Sequence, residues 1–493
     1  MNRLAVSLAI SRRSQPGEVL LVERSKNLRF FGGFLAFPGG TLDGDDETVT
    51  VRGLADETMS RFIVAGAREL FEETGLWLGR GGTSPALDQL RADRRRLLAE
   101  EIRFGELLER NGQHLDGSEL SELCRITTPP FAPVRYDTRF LRGLVADDAE
   151  IEIWDGELVA GEFVEPSEIL ARWRHGDVQI APPMIVLLDE WAKGQDGLEH
   201  RIRSVTESYR AGALHRVYFS PGILLAPLQT PTRPPATHTN TCIVGEERLY
   251  VVDPSPVDER EQARLWDLLD DLTERGRKLE GILLTHYHPD HVGALAPMQR
   301  RYGVPAFAHA DCAAELPEAS FGATLAHGDT VELGRAPDGS DDWKLHVYHV
   351  PGHARGHLAF QDSRYRAIIV GDLVSTISSI LIDPSDGHLA TYLQSLELLR
   401  SVTTAALYPG HGPPARDGRK VIEHTLEHRR EREEQLVAAL STQPQSARAL
   451  VESIYADVPS TLHALAERSL LSGLIKLEEE GRVRHGQTGY ALV

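Results

Sequence analysis

Apolar positions along the chain come in short runs whose period changes from region to region. The opening stretch LAVSLAI and the run VLLV at 19–22 have strand spacing, and IVLLDEWAKGQDG reads as a helix that ends in a polar, glycine-containing turn. A proline- and threonine-rich passage, LAPLQTPTRPPATHTN at 225–240, precedes two further runs, CIV and LYVVD, which predict paired strands about a Gly-Glu-Glu turn. Strand, loop and helix units continue to LYPGHGP. From Gly418 the pattern switches to a long charged amphipathic helix, VIEHTLEHRREREEQLVAAL, and the chain ends on RVRHGQTGYALV, which reads as a small hairpin. These changes divide the chain into regions 1–205, 215–417 and 418–493 of a multidomain α/β protein.

Length agrees, since 493 residues exceed what one ordinary core organises. A net charge of -20 argues against a dedicated binder of nucleic acid or anionic membrane, because neutralising phosphates needs a basic face. The three cysteines, Cys124, Cys242 and Cys312, are widely spaced and form no CxxC pair, so neither a disulfide framework nor a zinc ribbon is expected. No apolar run approaches the roughly 20 residues of a membrane span, and the N-terminal run lacks a small-residue cleavage site. A cytoplasmic protein without a membrane partner is the expectation.

The densest chemistry lies in THYHPDHVG at 285–293, where His286, His288, Asp290 and His291 follow an apolar run. Alternate side chains of an HxHxDH turn can enter one cavity while the following Asp and His face a neighbouring point. Imidazole and carboxylate are ligands that zinc accepts. Three later loops, each after an apolar run, add candidates: HVPGHARGH with His353 and His357, AIIVGDLV with Asp372, and ALYPGHGP with His411.

This ordered set resembles the metallo-β-lactamase-fold hydrolases and implies an αββα sandwich. By that resemblance His286, His288 and His353 hold one zinc, Asp290, His291 and His411 hold a second, and Asp372 bridges them. The implied reaction is hydrolysis through a bridging hydroxide, with Asp290 and Asp372 in the catalytic set. His357 either donates to the substrate oxygen or only supports its neighbours. Asp253, at the family's buried acidic position, is expected to orient a ligand loop without touching metal.

In the first region, ARELFEETGL places Glu69, Glu72 and Glu73 at i, i+3 and i+4, on one helix face. With the preceding FPGGTLDGDD the pattern resembles the Nudix box, which implies an α/β/α sandwich and bound Mg²⁺ or Mn²⁺. Glu72 and Glu73 would be metal ligands, Glu69 a ligand or the base, and Arg68 an ion-pair partner within the box. Two departures stand out: Asp46 replaces a glutamate, and 47–67 is longer than the usual spacer. The extra length is expected to form a loop ahead of a helix starting near Thr58. Both departures, with LLVERSKNLRFFGGFLAFPGG, resemble the branch acting on CoA and acyl-CoA, although Phe31 stands where that branch often has His. Arg29, Gly39 and Gly40 are the substrate-binding candidates.

The end of the chain, LLSGLIKLEEEGRVRHGQTGYALV, resembles the winged-helix tail of the β-lactamase-like protein 2 branch, some members of which cleave single-stranded RNA. Glu478, Glu479 and Glu480 end the helix that would face a duplex, so a packing role over the zinc cleft is favoured over DNA binding. The leading expectation is a bifunctional hydrolase of small molecules: a dizinc unit acting on a thioester or ester, and a Nudix unit acting on a nucleoside diphosphate derivative, with CoA or acyl-CoA as the candidate. The alternative is a single-stranded RNA endonuclease whose Nudix unit only senses nucleotide.

Overall fold

The computed structural model describes residues 2–28, 31–54, 56–456 and 463–493. Arg29 lies outside the described residues. Contacts divide the chain into two compact units, Met1–Pro221 and Gly222–Val493. Residue 205 falls inside helix Leu198–Arg210, so the first unit runs on past the expected boundary.

In the first unit, strand Arg3–Arg12 pairs in parallel with Tyr136–Val145, which pairs antiparallel with Leu120–Thr127. A smaller sheet joins Leu35–Ala36, Val19–Arg24 and Leu158–Val164. Side chains of a strand alternate between faces, and both sides here are apolar. Leu8 and Ile10 enter one core with Phe62, Ile63, Leu70 and Phe71 of helix Ser60–Thr74. Ala9 enters the other, with Ile169, Leu187 and Trp191. An α/β/α sandwich follows. The long spacer contains a 3-10 turn at Gly44–Glu47, a two-residue strand Val51–Arg52 paired with Leu115–Asp116, and a second 3-10 turn, Glu57–Met59, that leads into the helix.

The second unit is an αββα sandwich. One sheet runs in the order Ile223–Gln229, His238–Val244, Arg248–Val252, Lys278–Leu283, Ala306–Phe307. CIV and LYVVD pair antiparallel within it, as their alternation predicts. The other runs Thr330–Gly334, Trp343–His349, Leu358–Asp362, Ala367–Gly371, Ala406–Pro409. Outside this second sheet, Leu396 and Leu399 of helix Leu389–Arg400 pack with Ile368, Val370 and Leu407.

Residues 418–493 belong to the second unit. Helix Gly418–Ala439 enters two cores: Ile422 and Leu426 join the sandwich, while Leu436 joins Leu450, Leu470, Leu474, Leu477 and Val483 of the terminal module. Strands Val483–Gly486 and Gly489–Leu492 form the expected hairpin. No helix among the described residues is long and apolar enough to cross a membrane.

Candidate functional site

The loops leaving Lys278–Leu283, Trp343–His349, Ala367–Gly371 and Ala406–Pro409 carry His286, His288, Asp290, His291, His353, Asp372 and His411 into one cleft. Two ligand-like groups form, His286 with His288 and His353, and Asp290 with His291 and His411. His288 Nδ1 is 3.1 Å from His353 Nε2, and His411 Nε2 is 3.5 Å from Asp290 Oδ2. Asp372 stands between the groups, with Oδ2 3.6 Å from His353 Nε2 and 3.3 Å from His411 Nε2, and Oδ1 3.4 Å from His291 Nε2. Ligand atoms about 2.0–2.1 Å from a shared tetrahedral ion lie roughly 3.3–3.4 Å apart, close to these separations.

The outer nitrogen of each histidine in the two groups is tied down. His286 Nδ1 lies 3.0 Å from Thr285 Oγ1, His288 Nε2 2.8 Å from Asp386, and His291 Nδ1 2.9 Å from Asp253. His353 Nδ1 lies 3.0 Å from the Leu381 carbonyl and His411 Nδ1 2.9 Å from the His238 carbonyl. Assigned from these acceptors, the outer nitrogens carry the protons and the inner ones present lone pairs to the cleft. Inside, His286 Nε2, His291 Nε2 and Asp372 Oδ1 are buried without a hydrogen-bond partner. Each such atom costs about 1–3 kcal/mol, so several gathered at one point fit a pair of divalent cations far better than an apolar void.

Electrostatics agree with that donor set. Burial, reinforced by the neighbouring histidines, holds His286 well below the usual imidazole range, and burial takes His353 down to about 4 against the pull of Asp372. Burial alone would raise Asp372, but His411 and His291 outweigh it and keep the carboxyl ionised. His291 is pushed well up, because Asp372 and Asp253 overcome its burial. A proton there occupies the place a cation would take.

Asp253, His286 and His291 also lie close enough to form a third group. The Asp253 oxygens are already committed, however: Oδ1 accepts from Thr285 N–H at 2.7 Å, and Oδ2 from Thr285 Oγ1 at 2.6 Å and from His291. Asp253 therefore orients His291 directly and His286 through Thr285. His357 is fully buried, stacks on His286 at 4.9 Å, and accepts the Asp372 N–H on Nε2 at 3.3 Å. That placement sets its Nε2 against the backbone of Asp372 and its ring against His286, beside the converging side chains. A Cβ on Gly410 would stand 2.3 Å from Asp372 Oδ1, so only glycine lets the strand end approach this closely.

In the first unit, Glu69, Glu72 and Glu73 share a face of Ser60–Thr74. Arg68 donates to Asp46 through Nε at 3.0 Å and Nη2 at 3.1 Å, and its Nη1 lies 2.9 Å from Glu69 and 3.2 Å from Glu72. The shorter Asp46 side chain thus still makes a two-pronged pair. Burial raises all three glutamates, Glu72 to about 7 and Glu73 to about 8, with Glu69 adding to both. A divalent cation among them would favour their ionised form. Gly39 and Gly40 frame this cluster: the Gly39 N–H donates to Glu73 Oε2 at 2.9 Å, and a Cβ on Gly40 would meet Glu69 at 2.4 Å.

Several participants escaped the sequence reading. Asp386 and Leu381 sit in a loop with no recognisable spacing, and Thr285 carries no ligand atom that its motif would single out. In the first unit, Arg24 and Glu157 both act electrostatically on Glu73, the one lowering and the other raising its pKa. Only the position of Arg24 at the end of an apolar run hinted at it.

Comparison with known proteins follows the same division. Residues 234–411 match the model of the metallo-beta-lactamase superfamily, and 446–490 that of the beta-lactamase associated winged helix domain. A beta-lactamase-like protein 2 homolog of Drosophila melanogaster is 26% identical over 50% of this chain and 84% of its own length. A putative nudix hydrolase 7 of Caenorhabditis elegans is 27% identical over 36% of this chain and 57% of its own. A hydroxyacylglutathione hydrolase of Rhodopseudomonas palustris is 30% identical over 34% of this chain and 64% of its own.

Proposed function

The chain is a hydrolase that fuses a Nudix-like unit to a metallo-β-lactamase-fold unit bearing the associated winged helix, and from that premise we propose that the second unit cleaves a thioester or ester at a two-metal centre. The observation that carries this reading is the position of Asp372 between two histidine groups whose inner nitrogens converge. Bound ions would supply acidification of a water and polarisation of the substrate oxygen. His286, His288 and His353 would hold one ion, and Asp290, His291 and His411 the other. Asp372, ionised and buried, would keep the two groups in register. Asp253 and Thr285 hold the rings in the tautomer that leaves the inner nitrogens free. The acyl class is favoured by similarity to a protein described as a hydroxyacylglutathione hydrolase.

The first unit, in the same proposal, hydrolyses a nucleoside diphosphate derivative, with CoA or acyl-CoA as the candidate that would give both units one ligand class. Glu72 and Glu73 would hold Mg²⁺ or Mn²⁺, and Glu69 would be a further ligand or the base. Arg68 is committed to Asp46 and to the cluster itself, so it shapes the site and does not grip substrate.

A second reading, cleavage of single-stranded RNA, draws on the match to the winged helix domain. The charge pattern weighs against it: Lys476 and Arg482 both pair with Glu433 and Glu480. Metal analysis with an activity panel of acyl-CoAs, other thioesters, nucleoside diphosphate derivatives and a labelled oligoribonucleotide separates these readings, run on wild type, His288→Ala and Glu73→Gln. Thioester turnover lost in His288→Ala and kept in Glu73→Gln is the expected result. Oligoribonucleotide cleavage with that same pattern, and no thioester turnover, would replace the first reading by the second.

A further inference from the structure

The outer nitrogens of His288 and His353 find their acceptors on a single loop. Between Val374 and His388 the chain has no regular structure, yet it supplies the Leu381 carbonyl to His353 Nδ1 at 3.0 Å and Asp386 to His288 Nε2 at 2.8 Å. The Tyr287 hydroxyl also donates to Asp386. The second group is supported differently, by Asp253, which directly follows strand Arg248–Val252, and by the carbonyl of His238 in strand His238–Val244.

The sandwich fixes the ends of that loop, through the His388 N–H to the Gly352 carbonyl and Thr376 Oγ1 to the Pro413 carbonyl, both at 2.8 Å, and the C-terminal module grips its middle. Ser472, buried in helix His463–Glu479, donates its hydroxyl to the Ile382 carbonyl, the residue next to Leu381. Arg468 pairs with Asp383 at 2.6 Å and Glu479 with His388 at 3.0 Å, so one helix grips both sides of Asp386. Arg429 of helix Gly418–Ala439 donates to the Ile380 carbonyl. Arg468 and Glu479 are about half exposed and screened by solvent, whereas Ser472 is 5% exposed. The buried hydroxyl therefore contributes the most selective contact.

From this arrangement we infer that the winged-helix module positions one of the two metal groups, that of His286, His288 and His353, by holding the loop that orients His288 and His353. Asp386 and the Leu381 carbonyl are positioning groups: they bond the ring nitrogens opposite His288 Nδ1 and His353 Nε2, the two that face each other. The inference rests on the two-metal reading above. It gives the module a role within the hydrolase site that needs no nucleic acid. Acceptors of this kind fix ring orientation and tautomer, and their loss typically weakens metal binding by about 10- to 100-fold.

The test is cobalt(II) uptake by the full chain, followed by visible absorption and by competition with a chromophoric chelator. Wild type should take up two ions, and His288→Ala identifies the one that depends on this group. Asp386→Ala should weaken that same ion about 10- to 100-fold and leave the other unchanged. The double variant Ser472→Ala with Arg468→Ala should weaken it in the same selective manner, and Ser472→Thr, which keeps the hydroxyl, should bind like wild type. The inference is overturned if wild type binds two ions and the double variant binds both as tightly, or loses both equally. A wild-type chain that takes up no ion would instead remove the two-metal reading itself.

Discussion

The Asp46 carboxylate, only 1% exposed, accepts two hydrogen bonds from Arg68, at 3.0 and 3.1 Å. The same carboxylate accepts the Asp43 N–H at 2.7 Å and so closes the 3-10 turn at the head of the long spacer. Removing one partner of a buried ion pair costs about 3–5 kcal/mol. Asp46→Ala should therefore lower the unfolding midpoint of the first unit by several degrees and free Arg68 to neutralise Glu69 and Glu72. Thermal unfolding with and without Mn²⁺ checks this, the variant showing a smaller gain from the cation.

The raised glutamates predict a pH dependence of definite sign. Glu72 and Glu73 titrate near about 7 and about 8 in the folded chain, against 4.5 for the ordinary carboxyl. Above pH 4.5 the folded state binds protons that the unfolded chain has released, so stability falls as pH rises through the window up to about 8. A divalent cation offsets that loss. Calorimetry should show a larger midpoint gain from Mg²⁺ or Mn²⁺ at pH 8 than at pH 5.5. In Glu73→Gln, both the decline with pH and the cation's effect should shrink.

Gly410→Ala places a methyl 2.3 Å from Asp372 Oδ1 and 2.8 Å from His291 Cε1. Overpacking of this kind costs about 1–3 kcal/mol, and here it acts on the carboxylate between the two groups. Metal content measured after dialysis should fall below that of wild type while far-ultraviolet circular dichroism is retained. An unchanged content would show that Asp372 can move aside without consequence.

Asp253→Ala removes the acceptor of His291 Nδ1 and the anchor of Thr285 in one step. Metal affinity should drop by about 10- to 100-fold. Nucleoside diphosphate hydrolysis, which depends on the other unit, should be unaffected. A parallel loss of both activities would point to global misfolding.

The converging side chains were legible because each follows an apolar run. A buried strand ends where polar residues begin, so HxHxDH, His353, Asp372 and His411 announce themselves as loop chemistry. The glutamate face was legible from helical spacing alone. The support behind the rings was not, because the pairing of Asp386 with His288 spans 98 residues and depends on how a structureless loop is held. Asp46 was visible as a departure from a motif, but only its geometry reveals that a shorter acid serves the same arginine. The limit of the first unit was misplaced for a related reason: Leu198–Arg210 is polar on most positions, while Leu198 and Ile202 bury against the core.

The shared helix Gly418–Ala439 limits how this protein can be shortened. Its first half, through Ile422 and Leu426, fills the outer layer of the sandwich, and its far end, through Leu436, seeds the terminal core. A chain cut at residue 417 would lose not an appendage but a wall, since Ile422 and Leu426 share one core with Ile368, Val370 and Leu407. Any relative that dispensed with the terminal module would have to keep the first turns of this helix, or fill their place with another.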